Sequence, residues 1–285
     1  MNWLYVFVQY LLRNMRAMKE FLLFMKAGTS QAMTDTIVYS RKGDIAQLLL
    51  NIPKRHNALG EEQLLSIQAI LEMLLSASDK AKVLVVRGTG EQTFCAGAAL
   101  NELNNGRISG EMFQSTTDKL ASIDIPTIAA VNGNAFGGGV ELALACDFRI
   151  GIEEAKIRVP PAILGLCYPA NGIKRFVQRL GVSVTKRLLL SAEVIEGRMM
   201  KEVGFLDMQV PRENFDQSVN NFAIHLSSLA PLSLKAMKVL IDQAATGTID
   251  NDLAEKLIAT CLSSEDIREG FSAIKERRSP LFQGK

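Results

Sequence analysis

Residues 136–147 read FGGGVELALACD: three consecutive glycines and then, one helical turn on, a single carboxylate, Glu141, in an otherwise apolar stretch. The surrounding chain reads as a strand over 126–132, a glycine turn over 133–138 and a helix over about 138–146. Glycines at a helix start leave the first amide N–H groups unobstructed, and those groups together with the helix dipole attract negative charge. There is no GxxxxGK[ST], and the glycines do not match GxGxxG, so a phosphate is a poor tenant and a transient oxyanion a better one. Glu141 lies three residues beyond Gly138 on the same helix face, where an amide donor and a carboxylate would address one reacting group from adjacent positions. The same residues also fit a packing role, with glycines letting helix and sheet approach and Glu141 in a buried salt bridge. This stretch alone does not separate the two.

A second stretch, TFCAGAAL over residues 93–100, again follows an apolar strand and consists of small residues whose backbone can approach a ligand closely. Two separated loops, each offering an N–H, are what a two-donor oxyanion hole for a thioester carbonyl needs. Competing chemistries are poorly supplied. Only His56 and His225 are present, too few for a His-rich metal site or an easily assembled Ser/His/Asp triad, and His225 reads as a structural residue on an apolar helical face. Cys95, Cys146, Cys167 and Cys261 lie far apart in apolar surroundings without CxxC spacing, as reduced thiols of an intracellular protein would. Glu153 and Glu154 read as solvated turn residues.

The elements that must position these groups alternate between strand and helix. KVLVVRG (82–88), PTIAAVNG (126–133) and FRIGI (148–152) are short, apolar and bounded by glycine, as buried strands are. EEQLLSIQAILEMLLSASD places Leu64, Ile67, Leu71 and Leu75 on one stripe of an amphipathic helix. MTDTIVYSRKGDIAQLLLNIP, from Met33, reads as an opening hairpin turning at Lys42-Gly43-Asp44. Beyond about residue 213 only helical patterns remain, with Pro231 at a first-turn position. The layout is therefore α/β, with residues 34–212 as the core and 213–285 as a helical appendage.

Of 285 residues, 48% are apolar, enough for a large core, and 32 Lys and Arg face 30 Asp and Glu. So balanced a charge argues against nucleic acid or an anionic membrane as partner. Residues 1–33 differ from the rest. Arg13, Arg16, Lys19 and Lys26 stand against Glu20 alone, and the apolar runs are too short and interrupted to span a bilayer. The bases follow the apolar run rather than precede it, unlike a secretory signal. We read this stretch as a leader or a mis-assigned start with no catalytic role, and expect a cytoplasmic protein, or one of an organelle matrix if residues 1–32 are a presequence.

Six blocks, NIPKRHNAL (51–59), FCAGAAL (94–100), IPTIAAVNGNAFGGGVELALACDFRI (125–150), RLLLSAEVIEG (187–197), APLSLKAMK (230–238) and FSAIKERRSPLF (271–282), occur in the order and spacing of one known family. Over about residues 36–282 the chain resembles the crotonase, or enoyl-CoA hydratase/isomerase, superfamily. The resemblance implies a crotonase-like spiral of ββα turns with a C-terminal helical trimerisation region, assembled as a homotrimer or a dimer of trimers. It implies an oxyanion hole from the amides matching Ala98 and Gly138, and catalysis by Glu141. It also implies contacts to coenzyme A from Lys54, Arg55, Ala58, Ala96, Ala99, Leu100 and Asn101, with Phe271 and Lys275 reaching a neighbouring subunit's coenzyme A. Tyr168 would wall the acyl pocket. No metal and no cofactor beyond the coenzyme A of the substrate are implied.

The chain also departs from the family pattern. Family hydratases carry a second glutamate about twenty residues after the first, and here RVPPAILGLCYPANG places Pro161 at that point. Ala99 replaces the Asp common after AGA. Adding water to a C=C bond needs a base for water and an acid for the α-carbon, each worth about 10² to 10⁴ in rate. One carboxylate can serve both in turn. The leading expectation is reversible hydration of a 2-enoyl-CoA. The alternatives are isomerisation, decarboxylation, or acyl-CoA binding without turnover.

Overall fold

The computed structural model describes residues 35–76 and 81–285, so the leader reading of residues 1–33 lies outside the described residues. The first hairpin pairs β1 (Ile37–Lys42) with β2 (Ile45–Leu50), antiparallel, with Lys42 opposite Ile45. Gly43, at φ +61°, takes the left-handed turn position that favours glycine.

Three successive units then repeat one plan. β3 (Val83–Gly88), β5 (Thr127–Val131) and β7 (Phe148–Ile152) enter one sheet, and the short β4 (Thr93–Cys95), β6 (Asn134–Phe136) and β8 (Lys156–Arg158) enter a second. β9 (Ile195–Glu196) and β10 (Met208–Val210) complete them. The larger sheet runs β1-β2-β3-β5-β7-β10 and the smaller β4-β6-β8-β9. β2 through β10 of the larger sheet pair in parallel, and all of β5 is buried, which is why these strands read as unbroken apolar runs.

Helices follow the strands: α1 (Glu61–Leu75), α2 (Leu100–Asn104), α3 (Gly110–Ala121), α4 (Gly138–Ala145) and α5 (Ala170–Leu189), the last interrupted at Gly181. In α1 the predicted stripe buries Leu64, Ile67 and Leu71, each stabilising the fold by roughly 1.5–3 kcal/mol. Leu75 departs from it. It is the last residue of the helix and is 46% exposed.

After α6 (Met199–Glu202) and β10 come α7 (Arg212–Ser227), α8 (Pro231–Thr246), α9 (Asn251–Ser263) and α10 (Glu265–Glu276). Pro231 opens α8, where its missing N–H costs nothing. The side chains of Asp250 and Ser264 cap α9 and α10. Lys238 ties α8 to the core through Asp147 at 2.7 Å and the Ile125 carbonyl at 3.1 Å. His225, expected as a structural residue on an apolar helical face, is exposed on α7, beside the buried stripe of Phe215, Val219, Ala223 and Leu226. Cys167 is likewise exposed, whereas Cys95 and Cys146 are buried.

Candidate active site

The TFCAGAAL loop is held from one side by the chain around Leu59. Leu59 donates to the Gly97 carbonyl and accepts from the Ala99 amide, both at 2.8 Å, which makes Ala98 the parallel bridge partner of Leu59. In this pattern the N–H and C=O of Ala98 itself point away from Leu59. Gly97, at φ +81°, brings the loop against the start of α4: a Cβ there would lie 2.7 Å from the Gly138 nitrogen and 2.7 Å from the Phe136 carbonyl oxygen. Only glycine satisfies both that angle and that approach.

Gly138 is the first residue of α4, so its N–H has no acceptor within the helix. A Cβ on Gly138 would meet the Phe113 ring at 2.5 Å, and one on Gly139 would meet the Cys95 carbonyl at 2.0 Å. Gly139 thus lets α4 dock on β4, and Gly138 lets α3 cover the start of α4 while its first amide stays bare. The expected glycine turn over 133–138 is more ordered than its composition implies, since it contains β6.

One turn into α4, Glu141 is only 2% exposed. Its Oε1 accepts from a guanidinium nitrogen of Arg175 at 2.8 Å, and its Oε2 accepts from the Tyr168 hydroxyl at 2.8 Å. Thr117 Oγ1 lies 2.9 Å from both Oε1 and the Gln114 carbonyl, and its single proton serves one of them. Arg175 also donates to Thr117 Oγ1 at 2.9 Å and pairs with Asp118 at 2.5 Å. The buried salt bridge that the sequence left open for Glu141 is therefore present, and it coexists with a tyrosine on the second oxygen. α3 presents Phe113 and Thr117 one turn apart, so one helix face covers Gly138 and braces Glu141.

Tyr168 is half-buried. Its ring packs edge-on against Phe176, with centroids 5.6 Å apart, and a Cβ on Gly172 would strike it at 2.6 Å. Burial first, then the charge and hydrogen bond of Glu141, raise the Tyr168 phenol well above its usual value. The hydroxyl therefore stays protonated at neutral pH. Pro161 is buried at the start of a short 3₁₀ turn and brings no ionisable group.

Lys54 and Arg55 are exposed on a 3₁₀ turn whose following residues join the TFCAGAAL loop, with Ala96 donating to the His56 carbonyl at 3.0 Å. Ala58 and Ala96 are half-exposed, Ala99 is buried, and Leu100 and Asn101 are exposed at the start of α2. These residues form one neighbourhood. Phe271 and Lys275 are exposed on α10, where Phe271 lines a groove of about 280 Å³ with Ile274 and Phe282. A cavity of about 500 Å³ takes in Ala96, His56, Phe136 and Arg212, but its lining does not include Ala98, Gly138 or Glu141. Among the described residues no three or more of His, Cys, Asp or Glu gather as around a metal ion, and no single helix is long and apolar enough to cross a membrane.

Sequence reasoning missed Thr117, Asp118 and Arg175. A signal for Arg175 was available: it falls on the stripe of Gly172, Phe176 and Leu180, and a charge on a buried stripe requires a buried partner.

Comparison with known proteins identifies the family and the fold. The enoyl-CoA hydratase/isomerase family profile matches residues 40–285. A crotonyl-CoA hydratase of Syntrophomonas wolfei is 30% identical over 258 residues, covering 88% of this chain and 99% of its own. The mitochondrial enoyl-CoA hydratase domain-containing protein 2 of Mus musculus is 31% identical, over 85% of each chain. Among solved structures, an enoyl-CoA hydratase of Bacillus anthracis superimposes with a TM-score of 0.81 at 28% identity, covering 88% of this chain and all of its own.

Proposed function

The chain belongs to the enoyl-CoA hydratase/isomerase family and has the crotonase fold, and from that premise we propose that it adds water reversibly to a 2-enoyl-CoA thioester. The observation that carries this reading is the meeting of the Gly97–Ala98 loop with the bare start of α4, one turn before Glu141. The amides of Ala98 and Gly138 receive the thioester oxygen, and each such donor commonly contributes about 10² to 10³ in rate. Glu141 takes a proton from water as the water oxygen bonds to C3. The π electrons move to the thioester as an enolate, held by the two amides until C2 is protonated.

Lys54, Arg55, Ala58, Ala96, Ala99, Leu100 and Asn101 form the coenzyme A channel in this reading. The exposure of Met237, Ile241, Ile258, Leu262 and Ile274 on α8–α10 supports assembly as a homotrimer or a dimer of trimers, in which Phe271 and Lys275 reach a neighbour's coenzyme A. Cytoplasm is the compartment we assign, or an organelle matrix if residues 1–32 act as a presequence; the intact mass of the natural protein tells whether those residues are retained, and fractionation of the source cells tells the compartment.

A second reading draws on the ion pair itself. With Arg175 and Tyr168 already on Glu141, and Pro161 where a second acid would stand, the oxyanion hole alone supports decarboxylation of an acyl-CoA or binding without turnover, and with Glu141 carrying a proton between two carbons it supports isomerisation. The test is loss of conjugated-thioester absorbance from short and medium 2-enoyl-CoAs, with Glu141→Gln as control. Turnover of 3-enoyl- or malonyl-type thioesters without hydration overturns the leading reading. Full activity in Glu141→Gln removes Glu141 from the chemistry.

A further inference from the structure

We propose that the Tyr168 hydroxyl is the second proton-transfer group of this site, delivering a proton to the substrate α-carbon and recovering it from Glu141. The proposal rests on the hydratase reading above. Its basis is the asymmetry of the Glu141 carboxylate: Oε1 is taken by Arg175 on the buried side, while Oε2 faces Tyr168 at 2.8 Å. A carboxylate oxygen accepts two hydrogen bonds, so Oε2 keeps one lone pair for a water beside the phenol. Phe176 and the bare Cα of Gly172 hold the tyrosine ring, which fixes where its hydroxyl points. Pro161 holds no proton at the point where the family pattern places its second acid.

The sequence of bonds closes without a further reactant. An O–H bond of water breaks, its proton goes to Oε2 of Glu141, and its oxygen bonds to C3. The C2=C3 electron pair moves toward the thioester, whose oxygen takes the negative charge. The Tyr168 O–H bond then breaks and its proton bonds to C2, the enolate electrons forming that bond and the phenolate keeping the O–H pair. The Glu141 carboxylic acid returns its proton to the phenolate across the 2.8 Å contact, restoring both groups. The net change is one water added, with no oxidation or reduction. A phenol raised by burial and by Glu141 is a reluctant acid toward water, yet it protonates a far more basic carbanion readily.

Tyr168→Phe keeps the ring packing and removes only the hydroxyl. We expect its hydratase kcat to fall by about 10² to 10⁴, with KM changed by much less. Fluorinated tyrosines placed at 168 keep the hydroxyl and the fold while making the phenol stepwise more acidic. Hydration rate and its alkaline limb should move with that acidity. A Tyr168→Phe rate close to that of the unsubstituted protein overturns the proposal and leaves the hydratase reading standing. So does a rate indifferent to fluorination, which would mean that the hydroxyl merely holds Glu141. An unsubstituted protein that hydrates no 2-enoyl-CoA overturns both.

Discussion

Replacing Arg175 by Met removes the cation that faces Glu141 and keeps the length of the side chain. Glu141 is 2% exposed and the Arg175 side chain 10%, so the variant leaves a buried carboxylate without its charged partner. Breaking such a pair from one side costs about 3–5 kcal/mol, out of a total stability of about 5–15 kcal/mol. The Asp118 arm adds little, because Asp118 is 38% exposed and regains water. With a urea slope toward the upper end of about 1–3 kcal/mol per molar for a chain of this size, the unfolding midpoint should fall by roughly 1–2 M. Circular dichroism in urea at one fixed protein concentration measures it. The double variant Arg175→Met, Glu141→Leu, made with Tyr168→Phe so that no hydroxyl is stranded, removes both charges and should recover most of the loss, since apolar replacement of a whole buried pair is commonly neutral or better. A single variant within about 1 kcal/mol of the unsubstituted protein, or a double variant less stable than the single, refutes the assignment of a strong buried pair.

Two further outcomes follow from the titrating groups. Burial pushes the Cys95 and Cys146 thiols up to about 12, so both should resist alkylation at pH 8 in the folded protein while exposed Cys167 reacts, as peptide mass mapping will show. The Arg278 guanidinium and the Leu281 amide hold the Glu269 carboxyl at about 2, below its ordinary 4.5. A carboxyl depressed on folding contributes stability that is present above its unfolded value and is lost as pH falls through its folded one. Acid titration should therefore show part of the stability lost between about pH 4.5 and 2, and Glu269→Gln should lack that part.

The reach of sequence reasoning followed the range over which each signal acts. β3, β5 and β7 were legible because strands covered on both faces need unbroken apolar runs. β4, β6, β8 and β9 were not, since two or three residues carry no period. Leu75 and His225 show the same limit at helix surfaces, where periodicity gives a face but not which of its residues a neighbour covers. At the candidate site the bare start of α4 was visible in its glycines, and so was the choice between a reactive and a paired Glu141. The pairing itself was hidden, because Thr117, Tyr168 and Arg175 come from 24, 27 and 34 residues away. Only the fold brings α3 and α5 onto α4.

If the amides of Ala98 and Gly138 share one thioester oxygen, a bound carbonyl is polarised whatever reaction follows. Isotope-edited infrared spectroscopy of a saturated acyl-CoA, labelled with ¹³C at the thioester carbon, reads that polarisation directly on the intact protein. The stretch should move to lower frequency on binding than in water, and by the same amount in Glu141→Gln. A bound carbonyl at its solvent frequency contradicts the oxyanion hole, and with it the proposed chemistry.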